Sequence, residues 1–306
     1  NAILDMRLYK LIGLEIEALQ AEHEETMKNI ALYKDILDNY DSMAAVIIKD
    51  MDAIKKEYGR KRRTAIENAE EAVYEEKKME EMEVCFLMDR FGYMKLIDKN
   101  AYERNKEAVH NENKYVFNCM NTDKICIFTD TGKMHTIKAV DIPLGRFRDK
   151  GTPVDNLSNY DSSQERMLYV APVGQLRSDR LLFVTKTSMC KLVEGAEFDV
   201  AKRTIASTKL ADEDELIFIG SASEMEQIVL QSHGGCFLRF LTQEVSTMKK
   251  TALGVRGMKL ADDDYLEHAY LLAGHQEYTI SYHDKEYALN KVRLAKRDTK
   301  GIKPRI

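Results

Sequence analysis

The sequence has few prolines, which interrupt helices and strands, and few cysteines, which could form disulfides. It also has no long apolar run. Its 306 residues include 4 prolines, 5 cysteines and no tryptophan. No apolar stretch approaches the roughly 18 residues of a membrane helix. The 44% hydrophobic and 32% charged residues exclude a disordered or collagen-like chain. We therefore expect a folded protein without a membrane segment. Because the first residue is Asn1 rather than an initiator Met, we also expect a piece of a longer polypeptide.

The sequence also lacks the motifs of common catalytic and metal sites. It contains no GxSxG, HExxH, P-loop or GxGxxG motif, and its seven histidines form no metal pair with a nearby cysteine. The cysteines have no CxxC spacing, so reduced thiols in the cytoplasm are expected rather than disulfides or zinc ligands. We predict no catalytic residue, no metal site and no cofactor in this chain.

Charge is distributed unevenly along the chain. Residues 1–80 carry 13 basic and 18 acidic side chains, a net charge of −5, which equals the charge of the whole chain. Residues 81–306 are therefore neutral in total. A strongly basic nucleic-acid binder is excluded, and any contact with nucleic acid has to come from local clustering of cations.

The first part reads as a helical arm. Residues 14–38 predict a helix with a coiled-coil seam, since the seam positions recur at alternating spacings of three and four residues. The seam residues are Ile16, Leu19, His23, Thr26, Ile30, Tyr33 and Leu37. His23 and Thr26 either set the register or simply lie near solvent. The partner helix is either a second copy of the chain or a segment upstream.

A second helix and a linker follow the seam. The helix is predicted to start with Ser42 as N-cap and to end before Gly59. The basic run 60–63 either contacts phosphate or is a solvated charge cluster, and 64–82 is a charged helical linker. We divide the chain into an arm over 1–63, a linker over 64–83 and a β-domain over 84–306.

The β-domain is built from five repeated hairpins. Each unit has two apolar runs around a tight polar turn, where glycine is favoured because such turns require positive φ. The units begin near Cys85, Ile125, Leu181, Ile228 and Thr279, with turn positions at Gly92, Gly132, Ser188, Gly235 and Glu286. Repeats of this length favour the blades of a propeller-like disc, with a solenoid of the same strands as the alternative.

A second landmark follows most hairpins and is rich in cations. It contains Gly151, Gly254 or Gly301, it is degraded in the third repeat, and it is missing from the first. On a closed disc, equivalent positions share one rim, and cations there would contact phosphates without reading bases. The predicted DNA contacts are Arg104, Lys106, Arg146, Arg148, Lys150, Lys202, Arg203, Lys249, Lys250, Arg256, Lys259, Lys291, Arg293, Lys296, Arg297, Lys300 and Lys303, with Arg305 beside them.

Two stretches resemble the A subunit of bacterial type IIA topoisomerases, gyrase and topoisomerase IV. They are NAILDMRLYKLIGLE at the start and IKKEYGRKRRTAI at 54–66. The blade phrases IFTDTGKMHTIKAVDIP and TALGVRGMKL are similar to the C-terminal β-pinwheel of that family. The resemblance implies a coiled-coil arm followed by a pinwheel of about five blades that bends duplex DNA. It also implies an exit-gate dimer contact through Met6, Leu8 and Leu11.

The resemblance further implies what lies outside this chain. The catalytic tyrosine of the family lies upstream. ATP and Mg²⁺ are used in other domains or by the ATPase B subunit of a homodimeric parent enzyme, which acts in the cytoplasm on the nucleoid. Gyrase normally carries a Gln-Arg-Arg-Gly-Gly-Lys-Gly type box in its first blade. The corresponding stretch 102–113 has only Arg104 and Lys106 as basic residues. This departure favours a topoisomerase IV-like role, with a gyrase-like role and a protein scaffold without a DNA role as alternatives.

Overall fold

The computed structural model describes residues 13–64, 80–274 and 277–304. The chain divides into two compact units, residues 1–77 and 78–306. Unit 1 is helical in its described part, and unit 2 consists almost entirely of small antiparallel sheets. The predicted mixed fold, a helical arm followed by β-blades, is therefore confirmed. The proposed dimer residues Met6, Leu8 and Leu11 and most of the predicted linker lie outside the described residues.

The described part of unit 1 contains two helices, α1 (Gly13–Asp38) and α2 (Tyr40–Tyr58). The N-cap of α2 is Asn39 rather than the predicted Ser42. Asn39 alone leaves the helical conformation, with φ −117° and ψ 114°, and its side-chain oxygen accepts a hydrogen bond from the amide of Asp41. The Ser42 hydroxyl instead donates to the Asp35 carboxylate at 2.6 Å, across the break. The interruption is therefore one residue long.

The apolar seam of α1 is open to solvent within unit 1. Its large apolar side chains are between 41% and 74% exposed. Helices of this length gain most of their stability from packing of an apolar face, so this surface requires a partner. A second copy of the chain and an upstream segment both remain predictions for that partner.

Unit 2 contains the five predicted hairpins. Their sheets contain four, four, four, three and two strands in the described part of the chain. Each hairpin strand pair is antiparallel. The hairpins are β1 (Glu83–Asp89) with β2 (Tyr93–Asp98), β4 (Lys124–Thr129) with β5 (Lys133–Lys138), β8 (Arg180–Thr185) with β9 (Met189–Glu194), β12 (Gln227–Ser232) with β13 (Phe237–Leu241), and β16 (Thr279–Tyr282) with β17 (Lys285–Ala288).

The turn positions follow the sequence in four of the five hairpins. Gly92, Gly132 and Gly235 have φ between 75° and 82°, and Ser188 has φ 70°. The fifth prediction, Glu286, is wrong. That turn is made by His283 and Asp284, both with positive φ, and Glu286 pairs with Ser281 inside the hairpin. This turn has only two residues, and such a turn requires positive φ at both of them. Because it is shorter than the turns of the other hairpins, aligning the fifth repeat with them placed the turn too late in the sequence.

The blades are joined by exchanged strands. A third strand in blades 1 to 4 pairs with the first strand of its own hairpin, and a fourth comes from the next repeat and pairs with the second strand. The third strands are β3 (Asn113–Met120), β7 (Met167–Pro172), β11 (Leu216–Ser221) and β15 (Leu266–Leu272). The exchanged strands are β6 (Thr152–Pro153), β10 (Thr204–Ala206) and β14 (Val255–Arg256), followed by the single bridge from Ile302 to Phe237.

The exchanged strands are the glycine-containing landmarks of the sequence. Gly151 comes just before β6, Gly254 just before β14 and Gly301 just before Ile302. The first repeat has two short helices instead, α3 (Lys99–Arg104) and α4 (Lys106–Glu112). Two further single-turn helices are α5 (Val154–Leu157) and α6 (Val173–Leu176).

The core lies between successive blades. Blades 1 and 2 share one apolar cluster, 2 and 3 a second, 3 and 4 a third, and 4 and 5 a fourth. A fifth cluster joins the outer face of blade 1 to α3 and α4. The hairpin strands of blades 1 to 4 are thus largely buried on both faces, which is why they read as continuous apolar runs, whereas β16 and β17 of the fifth hairpin are half-buried or exposed. Four of the five cysteines are buried in these strands and all five are free thiols, as expected of small hydrophobic residues.

A glycine at the exchange is expected to be indispensable. Gly254 has φ 105°, and a Cβ there would lie 2.7 Å from the carbonyl oxygen of Cys190. We predict that Gly254→Ala lowers the free energy of unfolding by at least about 2 kcal/mol. Urea unfolding of the full chain, followed by tyrosine fluorescence, measures this.

Gly174→Ala is the matched control. Gly174 lies in α6, and a Cβ there would come no closer than 3.8 Å to its nearest neighbours, which are the carboxylate oxygens of Asp123. Its free energy of unfolding should change by no more than about 0.5 kcal/mol or rise slightly. Equal losses in both variants would contradict the assigned role of the exchange glycine.

Candidate nucleic-acid interface

The predicted cations are concentrated on three segments that cross from one blade to the preceding one. We call 139–153, 242–256 and 289–302 the crossing segments. Each begins with a short 3₁₀ turn, forms a parallel bridge to the preceding blade, makes a tight turn and ends in the exchanged strand. The parallel bridges join Leu144 to Leu96, Thr247 to Leu192 and Leu294 to Arg239.

The crossing segments place cations at equivalent positions. Arg146, Lys249 and Lys296 each lie five residues before the landmark glycine, and all three are exposed. Of the predicted DNA contacts, fifteen are exposed, whereas Lys250 and Arg297 are half-buried. Lys202 and Arg203 lie on the shorter connection to β10, and Arg305 lies outside the described residues.

Two of the predicted cations hold the architecture together instead. The Lys250 ammonium donates to the Glu197 carbonyl at 2.8 Å, and its amide donates to the Glu197 carboxylate at 3.1 Å. Arg297 repeats this arrangement one blade later, with its guanidinium 3.0 Å from the Glu244 carbonyl and its amide 2.9 Å from the Glu244 carboxylate. Lys250 thereby joins the second crossing segment to the 3₁₀ turn at 195–198, and Arg297 joins the third crossing segment to the second.

Two further cations are paired with carboxylates. Arg256 donates to both oxygens of Asp298 at 2.5 and 3.1 Å, and Lys249 lies 3.4 Å from Glu197. The Arg256 guanidinium holds the pKa of Asp298 below its usual range. Lys150 lies over the ring of Tyr93, at 4.5 Å from its centroid. The remaining exposed cations on the crossing segments have no ion pair with a described carboxylate.

Sequence reasoning missed the buried lysines beneath this surface. Lys191 is 1% exposed, and its ammonium donates to the carbonyls of Lys250 and Ala252, both at 2.7 Å. Burial lowers its pKa to about 8, so the ammonium form still predominates at neutral pH. Lys95 donates to the carbonyls of Phe147 and Asp149 in the same manner. The signal was a lysine three residues after the turn position in the first and third hairpins.

No constellation for catalysis or metal binding is formed in the described part of the chain. Three or more histidine, cysteine or acidic side chains do not converge there on a potential metal site. The helices described are each too short or too polar to cross a bilayer. The one buried acid–histidine contact among the described residues, Glu165 with His135 at 3.2 Å, is surrounded by Thr129 and Thr131, which donate to the same carboxylate.

The comparisons with known proteins agree with this architecture. The family model of the DNA gyrase C-terminal domain, a β-propeller, matches residues 123–162, 179–223 and 226–273, which are the second, third and fourth repeats. The DNA gyrase A subunit of Clostridium acetobutylicum is 31% identical over 268 residues, which are 84% of this chain and 32% of the relative. That of Ureaplasma parvum is 26% identical over 99% of this chain and 38% of the relative.

The second, third and fourth repeats thus match the family of DNA gyrase C-terminal domains, and the chain is similar to bacterial DNA gyrase A subunits over most of its length. It spans about one third of the length of these curated relatives. Among solved structures, the C-terminal domain of DNA topoisomerase IV superposes with a TM-score of 0.65 at 22% identity, over 73% of each chain. The E. coli ParC C-terminal domain gives 0.58 at 15% identity, over 73% of this chain and 94% of that one. These likenesses confirm the β-pinwheel fold.

The first blade of this pinwheel differs from the pattern that the resemblance implies for gyrase. Residues 102–113, where the resemblance implies a glycine-rich basic loop, form the end of α3, α4 and the start of β3. The Arg104 guanidinium donates to the carbonyl of Asn100, and Lys106 is exposed on α4. α3 and α4 pack their apolar residues against blade 1. The stretch therefore serves as a helical cover for that blade.

Asp298 is expected to restrain the crossing surface electrostatically. We predict that Asp298→Asn increases the affinity of the full chain for duplex DNA about threefold or more at low salt, because it releases Arg256 and removes one negative charge. Asp298 has φ 61°, a conformation that asparagine adopts readily. Fluorescence anisotropy with a labelled duplex measures the change.

Asp263→Asn is the matched control, since Asp263 also has positive φ and lies in an acidic loop outside the crossing segments. It removes the same charge and should leave the affinity nearly unchanged. An equal gain from both variants would mean that net charge alone matters, and no gain from Asp298→Asn would mean that Arg256 makes no phosphate contact.

Proposed function

We propose that this chain binds and bends duplex DNA as the C-terminal part of the A subunit of a type II topoisomerase. The observation that carries the proposal is the repeated crossing segment, with an exposed cation at the same position in Arg146, Lys249 and Lys296. Equivalent residues of successive blades present positive charge at regular intervals. A duplex, whose phosphates are also regularly spaced, is the ligand that fits this pattern.

The mechanism is electrostatic. Lysine and arginine side chains replace counterions along the backbone, and a rigid array of blades stabilises a bent duplex. Bending a site of 20–30 base pairs costs about 1–6 kcal/mol, which several phosphate contacts offset. Because residues 81–306 are neutral in total, affinity depends on cations that are not already paired. Such binding positions DNA without reading its sequence.

In the parent enzyme, we propose, the pinwheel presents a DNA segment to a gate located elsewhere. The parent would act as a homodimer of A subunits with an ATPase B subunit, in the cytoplasm on the nucleoid, with ATP and Mg²⁺ used outside this chain. Among the family roles we favour a topoisomerase IV-like one, decatenation and relaxation. The supporting observation is the helical cover at 99–112, which carries few cations where the resemblance implies the wrapping box of gyrase.

A gyrase role, wrapping DNA for negative supercoiling, is the second candidate. It is favoured by the curated relatives, which are named as A subunits of DNA gyrase. The two roles are distinguished by measuring decatenation and negative supercoiling by the full-length protein with its ATPase partner. We expect strong decatenation and little negative supercoiling of relaxed plasmid. Efficient supercoiling would replace the topoisomerase IV-like role with the gyrase role.

The DNA-binding proposal is tested by neutralising unpaired cations. We predict that the double variant Arg146→Gln and Lys296→Gln weakens duplex binding and lowers the slope of log K against log[salt] by about 2, since each phosphate contact contributes about 0.9. Anisotropy titrations of the full chain at several salt concentrations give the slope. Neither side chain has an ion pair with a described carboxylate, so folding should be unaffected.

The control is the double variant Lys28→Gln and Lys34→Gln. Both residues are exposed on α1, and the change in net charge is the same. Wild-type binding is expected. A wild-type chain whose affinity does not depend on salt would exclude the proposed interface and favour the protein scaffold.

A further inference from the structure

The turns of the first two crossing segments receive hydrogen bonds from lysine side chains of the preceding blade. Each segment makes a tight turn between the parallel bridge and the exchanged strand, where the regular ladder of strand hydrogen bonds is interrupted. Buried carbonyls need a donor. In the second crossing segment, the carbonyls of Lys250 and Ala252 both accept from the ammonium of Lys191. In the first, the equivalent carbonyls of Phe147 and Asp149 accept from Lys95.

The two lysines are repeat-equivalent, and so are their acceptors. Lys95 and Lys191 are the third residues after the turn positions Gly92 and Ser188. Their acceptors lie four and two residues before the landmark glycine in both segments. A lysine ammonium has three donors and no acceptor, so one side chain can hold two carbonyls at once. Because the donor and both acceptors recur together in two blades, the contact is a repeated feature of the fold.

The geometry points to Lys95 and Lys191 as positioning residues for DNA binding, which hold the cation-bearing turns of the first two crossing segments in place from inside the blades. This inference rests on the proposed function. Neither lysine is placed to contact a phosphate. Lys191 is buried, and Lys95 is half-buried under the backbone of Phe147 and Asp149. The residues that would contact DNA are those carried on the turns, Arg146 and Lys249 among them.

The equivalent positions in blades 2 and 4 show that a lysine at this position is not required for a folded blade. In blade 2 the equivalent residue is His135, whose imidazole lies 3.1 Å from the Thr204 hydroxyl on β10. In blade 4 it is Leu238, which is buried in the apolar core. An aliphatic side chain is therefore compatible with a folded blade at this position. Replacing the buried ammonium with an aliphatic group removes its desolvation cost, which offsets the loss of its hydrogen bonds to the two carbonyls.

Lys191→Leu tests the inference in the full chain. The thermal midpoint is expected to stay the same or rise. Amide hydrogen exchange over 249–254 should accelerate, since the carbonyls of Lys250 and Ala252 lose the ammonium and Lys250 keeps the amide of Lys209 as a donor. Duplex affinity at low salt should fall roughly three- to tenfold, with the salt slope lower by about one, the share of one phosphate contact. Lys95→Leu should have the same effect through residues 146–151.

Leu181→Ala is the control for a purely structural effect. Leu181 is fully buried between blades 2 and 3, and its side chain is apolar and cannot hold a carbonyl of a crossing segment. This variant should lower the thermal midpoint and leave affinity and slope unchanged at a temperature where it is folded. Weaker binding in Lys191→Leu without loss of stability supports a positioning role.

The outcomes separate the inference from the proposed function. If the wild-type chain shows no salt-dependent binding of duplex, the proposed function fails whatever the variants do. If the wild type binds and Lys191→Leu has wild-type affinity and slope, the inference is overturned, whether or not exchange over 249–254 changes. If binding falls only in proportion to a lower thermal midpoint, as in Leu181→Ala, the lysine is structural only and the inference is likewise overturned.

Discussion

Strand exchange is the constraint on which the rest of unit 2 depends. Each blade from 1 to 4 takes its last strand or bridge from the following repeat, so no blade is complete by itself. The exchanged strands are only two or three residues long, and short pairings of this kind contribute little on their own. The chain must therefore anchor the connection by other means. It does so with an apolar cluster between each pair of blades and with polar groups that bind the backbone of the crossing segment.

Those anchors explain why the basic residues near the landmark glycine do not all face solvent. Many lysines and arginines near the landmark glycine belong to two classes with different roles. Lys250 and Arg297 bind carbonyl and carboxylate groups of the preceding segment, whereas Arg146 and Lys296 are directed to solvent. Alternating residues in an extended segment point to opposite sides, so one short basic stretch can staple the fold and face a ligand at the same time. The neutral total charge of residues 81–306 is therefore a poor measure of the charge that a duplex would encounter.

The parts of this structure that sequence patterns predicted are those governed by local physics. Turn glycines at 92, 132 and 235 were readable because hairpin turns require positive φ. The apolar runs of the first four hairpins were readable because both of their faces are largely buried. The fifth turn was misplaced, since His283 and Asp284 satisfy the same requirement without glycine. The exchange itself was not predictable from one sequence. Pairing of Thr152 with Met94 joins residues 58 positions apart, and no local pattern encodes that register. The sequence revealed the glycine-containing landmark but not the strand with which it pairs.

The buried lysines belong to the same category of long-range information. From sequence, a lysine inside an apolar strand such as MCKLV reads as an exposed residue on an edge, because ammonium groups are rarely buried. Lys191 is buried because the acceptors it meets come from a repeat some 60 residues later. Its desolvation is offset only when that later segment is in place, so the strand and the crossing turn stabilise each other. A surface that contacts a ligand can thus be shaped by a residue that the ligand never touches. At this one repeat position Lys95 and Lys191 bind crossing segments, His135 contacts β10 and Leu238 lies in the apolar core, so the blades use the same position in different ways.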